Sequence, residues 1–308
     1  MRLGPNDTGW QNCNNATQKE LLVLTTDRGR VYQLFKYAVY ALLTANIFIF
    51  FAEEWAASAY RFTDGVALSD IIEGFAASID TAAWVVLLLM FELETFVLDD
   101  RQFTRRVTWT LHGLRAICYG FIVYAFTGYV RKLVFLSASV PLTGVADLCA
   151  LVDGTWSYGI DLDEYEILTL ANCTVLSSAS ASASAFIQFP GLTAVVDPAG
   201  FTEIIRLAWV DVINSGVWLL VVMILEIDVR MQERNLLEGG FLQISNFSKF
   251  LLYSTLLAAA VYWTIKGDFV DSWDAYLWLV AFVFIELNVF DWRQESLEEQ
   301  KSGVEPAI

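Results

Sequence analysis

The sequence predicts an all-α integral membrane protein whose six transmembrane helices form three repeated helical hairpins. Its mean hydropathy is +0.50 and 56% of its residues are hydrophobic, above the roughly 45 to 50% of soluble domains. Apolar runs long enough to cross about 30 Å of hydrocarbon occur at six places, namely 33–53, 79–98, 116–138, 207–227, 248–266 and 274–291. Three of these runs share one phrase, and internal repetition of this kind indicates a repeated architecture.

The repeated phrase is a tryptophan, seven apolar residues and a glutamate. Its three copies run from Trp84 to Glu92, from Trp218 to Glu226 and from Trp278 to Glu286. A polar residue follows two positions after each glutamate (Glu94, Asp228, Asn288), and another stands four positions before each tryptophan (Asp80, Asn214, Asp274). Each copy lies in the second helix of a hairpin, so we expect the hairpins to be helices 1–2, 3–4 and 5–6, packed with approximate threefold symmetry.

The basic residues predict the orientation. With the N-terminus inside, 14 of the 19 lysines and arginines fall on the cytoplasmic side, as the positive-inside rule requires. We therefore expect both termini in the cytoplasm and the large loop outside, in a bacterial inner membrane or its equivalent. The predicted organisation is a cytoplasmic segment over 1–30, three helices within 31–138, an extracytoplasmic insertion over 139–203, three helices within 204–292 and a cytoplasmic tail over 293–308.

Several charged or amphipathic stretches are assigned to the membrane interface. Lys36, at the inner end of the first helix, is expected to snorkel towards the headgroups. Residues 68–75 predict a short amphipathic helix lying on the outer membrane surface. Arg131 and Lys132 come early for a clean span: they either snorkel outward, which we favour, or pair with a carboxylate such as Asp211.

The tryptophans are explained by the same interface. The three repeat tryptophans, together with Trp55, Trp209, Trp263 and Trp273, fall in the outer half of their spans or at the outer boundary. Amphipathic rings are enriched at that depth, so no cofactor site is needed to account for them.

The external insertion contains two cysteines. Cys149 and Cys173 lie 24 residues apart on the oxidising side and no Cys-x-x-Cys is present, so we expect a structural disulfide rather than a redox site. Asn172 begins a glycosylation sequon, which has meaning only in a eukaryote. Residues 177–184 are all serine and alanine and predict a linker or an exposed edge strand.

The negative charge is concentrated on the outer side. The segments 53–80, 139–203 and 268–274 hold 17 carboxylates, a distribution that repels nucleic acid and attracts cations. We favour a solvated acidic surface of a salt-tolerant organism. The cluster from Asp161 to Glu166 is the alternative, but it lacks the ligand spacing of an EF-hand calcium loop.

The repeated glutamates are the candidate site. Each lies roughly 18 Å below the outer boundary, within the inner leaflet, where an ionised carboxylate needs a partner, a proton or water. The candidate residues are Glu92, Glu226, Glu286, Glu94, Asp228 and Asn288. They either converge on a cation or proton site, or each bonds to a neighbouring helix, to a partner subunit or to a basic residue such as Arg230, one turn after Glu226.

The residue types and motifs that the sequence lacks narrow the range of possible functions. His112 is the only histidine, which excludes bis-histidine haem and three-histidine metal centres within the chain. We find no catalytic, cofactor-binding or metal-binding motif. We therefore predict a non-catalytic multi-pass membrane subunit or assembly component of a larger complex, contacting lipids and other membrane subunits. The alternative is a cation or proton channel or transporter that uses the repeated glutamates.

Overall fold

The fold is a set of long helices with one small sheet, seen in a computed structural model. It describes residues 8–61, 71–72, 74–94, 104–179, 186–233 and 240–302, and their side chains except at 8–29, 61, 179, 229, 232–233 and 286–302. The helices are α1 (Thr8–Arg61), α2 (Ala76–Glu92), α3 (Arg105–Ser137), α4 (Cys173–Ala179), α5 (Pro198–Glu233), α6 (Gly240–Lys266) and α7 (Phe269–Ser302). The strands are β1 (Val140–Leu142), β2 (Ser157–Gly159), β3 (Tyr165–Ile167), β4 (Phe186–Gln188) and β5 (Ala194–Val196), with a 3₁₀ turn at Leu148–Leu151.

Four helical stretches among the described residues are long and apolar enough to cross a membrane. They are Arg30–Tyr60, Arg105–Ser137, Pro198–Asp228 and Gly240–Lys266, and each contains a predicted span. The other two predicted spans, 79–98 and 274–291, extend beyond the described residues or their described side chains. The chain is therefore mainly helical with several membrane-crossing helices, while the six-span hairpin arrangement stays a prediction.

The chain divides into two compact units, which are described separately. The smaller unit comprises residues 1–42 and 280–308. In it, the Phe284 ring packs edge-on against Tyr32 at 5.3 Å and Phe35 at 5.6 Å between ring centroids. Lys36 is only 2% exposed, and its ammonium lies 5.3 Å from the Tyr37 ring centroid. The prediction that Lys36 snorkels to the interface is therefore wrong, because protein surrounds its stem and head.

The larger unit, residues 43–279, contains the sheet. The strand order is β1-β4-β5-β2-β3, with β2 and β5 parallel and every other pair antiparallel. One apolar core joins the sheet to α3, α5, α6 and α7, and it includes Leu168, Phe189, Leu136, Ile204 and Trp263. The external insertion is thus packed on the helix ends as part of the same body, and it forms a five-stranded sheet within a fold that the sequence predicted to be all-α.

Residues near 71–75 pack against protein rather than lying on the membrane surface. Ile72 is fully buried, and its carbonyl oxygen would lie 2.4 Å from a Cβ added at Gly128 of α3. Phe75 is 9% exposed and stacks with Phe51 at 5.7 Å. The predicted surface helix is therefore wrong at these residues, because α3 offers a glycine against which the backbone can approach closely.

The start of α5 follows directly from its sequence. Asp197 precedes Pro198, the residue whose fixed φ suits the first helical position. The Asp197 carboxylate accepts a hydrogen bond from the Gly200 amide at 2.9 Å and another from the Tyr158 hydroxyl at 3.1 Å. This cap ties the helix to β2, and burial together with the Asp197 charge raises the pKa of Tyr158 to about 12.

Candidate functional site

Three of the predicted inner site residues are held by basic side chains. Glu94 accepts from Arg115 at 2.6 Å, and Glu226 accepts from Arg230 at 3.0 Å. Asp228 accepts from the Ser245 hydroxyl at 2.7 Å, and its other oxygen lies 3.1 Å from the Lys249 ammonium. These contacts match the pairing alternative of the sequence analysis.

The repeated glutamates are not equivalent in space. Glu92 is 6% exposed and engaged with neighbouring groups, whereas the Glu226 side chain is 42% exposed beside Arg230. The side chains of Glu286 and Asn288 lie outside the described part of the chain.

The repeat tryptophans, in contrast, do meet. The Trp84 ring centroid lies 6.1 Å from that of Trp218 and 6.2 Å from that of Trp278, and all three residues are at most 8% exposed. They form a tryptophan triad in the interior, so the prediction that they line the lipid interface is wrong. The prediction is wrong for Trp263 as well, which is 3% exposed, whereas Trp55, Trp209 and Trp273 are 62%, 53% and 37% exposed.

The residues one turn before each tryptophan form a second repeated set next to this triad. We call Asp80, Asn214, Asp274 and Asn46 the outer polar layer. The Asn46 amide donates to Asp274 at 2.7 Å, and Trp84 and Trp278 are engaged with neighbouring groups. Because each polar residue stands one helical turn from a tryptophan of the triad, the three repeat positions face a common region.

The outer polar layer is incompletely satisfied. One carboxylate oxygen of Asp80 and the side-chain oxygen of Asn214 are buried without a hydrogen-bond partner among the described residues. Asp80 and Asp274 are also close enough to repel each other electrostatically. Buried polar atoms are nearly always bonded to protein or to ordered water, so these two oxygens mark a place that a proton, water or small cation would satisfy.

A buried ion pair lies further out. Lys132 of α3 is 7% exposed and donates to Asp163 of the external insertion at 2.6 Å, with Asp211 of α5 near enough to feel its charge. Snorkelling is therefore wrong for Lys132, although Arg131 is exposed as expected. The pairing alternative holds instead, because the insertion covers this end of the helix and supplies the carboxylate.

Another outer carboxylate has a structural role. Both oxygens of Glu54 face the start of α2, where the Ala77 amide donates at 2.8 Å and the Ser78 amide at 3.1 Å. The Ser78 hydroxyl donates to the same carboxylate. A negative group at a helix N-terminus satisfies unpaired amides and the helix dipole, so Glu54 anchors α2 and positions Asp80 one turn beyond.

The acidic cluster from Asp161 to Glu166 folds as a tight connection between β2 and β3. The Ile160 amide donates to the Glu164 carbonyl at 2.9 Å, and the Asp161 carboxylate accepts from the Leu162 amide at 2.7 Å. Burial, together with the charges of Asp268, Asp163 and Glu164, raises the pKa of Asp161. Within the described ranges, no group of three His, Cys, Asp or Glu side chains is arranged to hold a metal ion.

The external insertion is stapled as the sequence predicted. Cys149 and Cys173 form a disulfide with Cα atoms 5.0 Å apart, which joins the 3₁₀ turn to α4. Residues 177 and 178, in the serine–alanine run, belong to α4, so the predicted linker or edge strand is wrong there; residues 180–184 lie outside the described chain. The Asn172 side chain is itself occupied, donating to Glu166 at 2.8 Å and to the Ile167 carbonyl at 2.9 Å.

Apolar side chains remain exposed around this disulfide. Ile167, Leu170 and Val175 are 46%, 79% and 67% exposed, and we call these three residues the disulfide patch. They belong to the insertion between α3 and α5, outside the four helical stretches that are long and apolar enough to cross a membrane.

Sequence reasoning took its candidate site from the glutamates of the repeat and the polar residues that follow them. Three residues of the outer polar layer belong to the same repeat, four positions before each tryptophan. The glutamates were preferred as the candidate site because of their depth in the predicted spans. The disulfide patch had no sequence signal beyond the disulfide itself. The chain matches no protein-family model, no curated protein and no solved structure.

Proposed function

We propose that the protein is a non-catalytic integral membrane subunit that assembles with another membrane protein through its external insertion. The observation that carries the proposal is the disulfide patch, three exposed apolar side chains outside the four helical stretches that are long and apolar enough to cross a membrane. Contiguous exposed apolar surface that lipid does not cover is typical of protein–protein contact sites. The pairing of Glu94, Glu226 and Asp228 with basic residues supports the proposal as well. A carboxylate that is already paired with a basic side chain is less able to bind and conduct a cation.

The rigid attachment of the insertion supports the same function. The disulfide, the shared core with four helices and the buried Lys132–Asp163 pair fix the patch relative to the membrane. A surface held in this way loses little conformational entropy when a partner binds. The insertion is therefore suited to position a partner against the membrane surface.

The test is the native mass of the protein extracted in mild detergent, with co-purifying chains identified by mass spectrometry. We expect a stoichiometric partner in wild type and its loss in the double variant Leu170→Ser/Val175→Ser. Val140→Ser is a matched control, because Val140 is 55% exposed on β1, at the opposite edge of the sheet. A protein that arrives alone, with the same mass in all three forms, would refute the proposal.

A second candidate function is the binding of a proton or monovalent cation at the outer polar layer. The two unpartnered buried oxygens of Asp80 and Asn214 favour it, and the acidic outer segments would concentrate cations at its entrance. This differs from the inner-leaflet site of the sequence analysis. The tryptophan triad lies beside the layer, and the candidate is a cation or proton transporter whose binding step takes place at the outer polar layer.

Liposome flux separates this candidate from the first. The double variant Asp80→Asn/Asp274→Asn should abolish cation or proton uptake into liposomes if the outer polar layer is used. Glu226→Gln is the control, since that side chain is exposed and bonded to Arg230. An absence of uptake in wild type, or uptake that the double variant leaves unchanged, removes the candidate.

A further inference from the structure

We infer that one face of α3 binds a phospholipid whose headgroup carries a net negative charge. The face begins with two arginines at the start of the helix and continues with three large apolar side chains. We call these five residues the open face of α3, namely Arg105, Arg106, Trp109, Ile117 and Phe121. The inference is independent of the assembly function, because it concerns a membrane-crossing helix and not the external insertion.

The two arginines of the open face have no charged partner. Both are exposed, and neither forms an ion pair with any residue that the structure describes, whereas Arg115 of the same helix pairs with Glu94. A guanidinium binds phosphate oxygens through two parallel N–H···O hydrogen bonds. The start of α3 therefore presents two adjacent groups of the kind that bind a phosphate.

The apolar part of the open face continues from the arginines along one side of the helix. Trp109, Ile117 and Phe121 are 70%, 57% and 50% exposed. Together with Arg105 and Gly113 they recur at every fourth position, a spacing that places them next to one another on an α-helix. A Cβ added at Gly113 would meet nothing within 4 Å, so there is room for a fatty-acid chain between Trp109 and Ile117.

The order of these groups matches a phospholipid in one leaflet. Tryptophan is enriched at the boundary between headgroups and hydrocarbon, and Arg105 lies one helical turn beyond Trp109, towards the headgroups. From Trp109 to Phe121 the helix rises by about 18 Å. This rise is close to the depth of one leaflet, which is half of a hydrocarbon layer of about 30 Å.

The open face ends where that leaflet ends. Every residue from 125 to 130 is buried or partly buried, and within this stretch Gly128 lies against the backbone of Ile72. A transmembrane helix of another protein crosses both leaflets and would need an open surface along the whole crossing. A lipid needs an open surface in its own leaflet only, so a lipid is the occupant that fits.

The charge of the face selects the class of lipid. A choline headgroup would bring its own positive charge next to the two guanidiniums, which repel it. An anionic headgroup such as that of phosphatidylglycerol adds negative charge without a cation. Basic side chains at the end of a membrane-crossing helix attract anionic lipids for this reason.

The experiment measures lipid binding to the full-length protein by native mass spectrometry, after purification in mild detergent and removal of native lipid. The probes are phosphatidylglycerol and phosphatidylcholine with identical acyl chains. We expect the first phosphatidylglycerol to bind at least about tenfold more tightly than the first phosphatidylcholine, as two basic residues beside an anionic headgroup imply.

Two variants test the headgroup and the tails separately. Arg105→Gln/Arg106→Gln should remove the preference for phosphatidylglycerol and leave the fold intact, since neither side chain has a partner to lose. Arg131→Gln is the matched control and should keep the preference, because Arg131 is an exposed arginine near the other end of α3. Gly113→Leu should weaken the binding of both lipids, because the added side chain fills the space for the tails.

Three results would overturn the inference. Equal binding of the two lipids to wild type would show that the protein holds lipid without selecting its headgroup. A preference that Arg105→Gln/Arg106→Gln retains would place the headgroup elsewhere. Lipid affinities that are unchanged in Gly113→Leu would place the tails elsewhere, and the loss of a co-purifying chain in that case would assign the face to a partner helix.

Discussion

Replacement of Gly128 by alanine tests how closely residues 71–76 are packed against α3. A Cβ at position 128 would lie 2.4 Å from the Ile72 carbonyl oxygen and 3.0 Å from the Ala76 Cβ. Carbon–oxygen contacts are comfortable only at about 3.3 to 3.6 Å. Since the obstructing atom belongs to the backbone, no side chain can rotate away, and the segment that leads into α2 must shift by about 1 Å.

The magnitude follows from a matched variant on the same helix. Gly120→Ala places a Cβ that meets nothing within 4 Å, so it changes only the helix propensity, a gain of roughly 0.5 to 1 kcal/mol. Gly128→Ala receives the same gain, which cancels in the comparison. The remaining difference is the overpacking cost, about 1 to 3 kcal/mol, and Gly128→Ala should be the less stable variant by that amount.

The assay is reversible unfolding in mixed micelles of increasing sodium dodecyl sulfate content, followed by tryptophan fluorescence. The tryptophan triad supplies the signal, because its rings become solvated when α2 separates from its neighbours. Equal stability of the two variants, within about 0.5 kcal/mol, would refute the close approach of Ile72 to α3, since surface substitutions without a packing effect fall in that range.

Three further predictions concern the external insertion. Replacing Cys149 and Cys173 by serine should destabilise the insertion by about 3.5 kcal/mol, the free energy expected from the loop-closure entropy of a loop of this length. The variant should also be cleaved within the insertion by proteases other than trypsin under conditions that leave wild type intact. Asp163→Asn should lower the free energy of unfolding by roughly 2 kcal/mol, measured by thermal unfolding, because Lys132 stays buried without its counter-charge. The loss should be smaller than for a fully buried pair, since Asp163 is a third exposed. The pKa of Tyr158 is raised to about 12, so its protonated hydroxyl stabilises the folded state. This contribution is complete below about pH 10 and is lost as the pH rises through about 12. Tyr158→Phe should therefore remove this part of the decrease in stability at alkaline pH.

The membrane-crossing helices could be predicted because their signal is local. A run of apolar residues long enough to cross the hydrocarbon can be recognised without knowing what it packs against. Each of the four qualifying helices overlaps a predicted span. The disulfide was predictable for a similar reason, since the predicted insertion contains only two cysteines, which leaves one possible pairing within it. Neither prediction depended on knowing which helix faces which.

The orientation of each helix could not be predicted. Lipid tails and a protein core are equally apolar, so a tryptophan such as Trp84 has the same sequence surroundings whether it faces the membrane or the interior. The burial of Lys132 depends on Asp163, 31 residues later in a different part of the fold. The sheet escaped notice because each strand has only three residues, too few to show an alternating pattern.

The repeat shows how spatial contact separates equivalent sequence positions into different roles. Trp84, Trp218 and Trp278 are all buried, and the ring of Trp84 packs against both of the others. Glu92 and Glu226 occupy matching sequence positions but different surroundings, one buried and one exposed beside its own arginine. The depth of a residue within a span therefore says less about function than whether its repeat counterparts converge. By that criterion the outer polar layer, one helical turn from the tryptophan triad, is the part of the repeat with the stronger claim to bind a proton or cation.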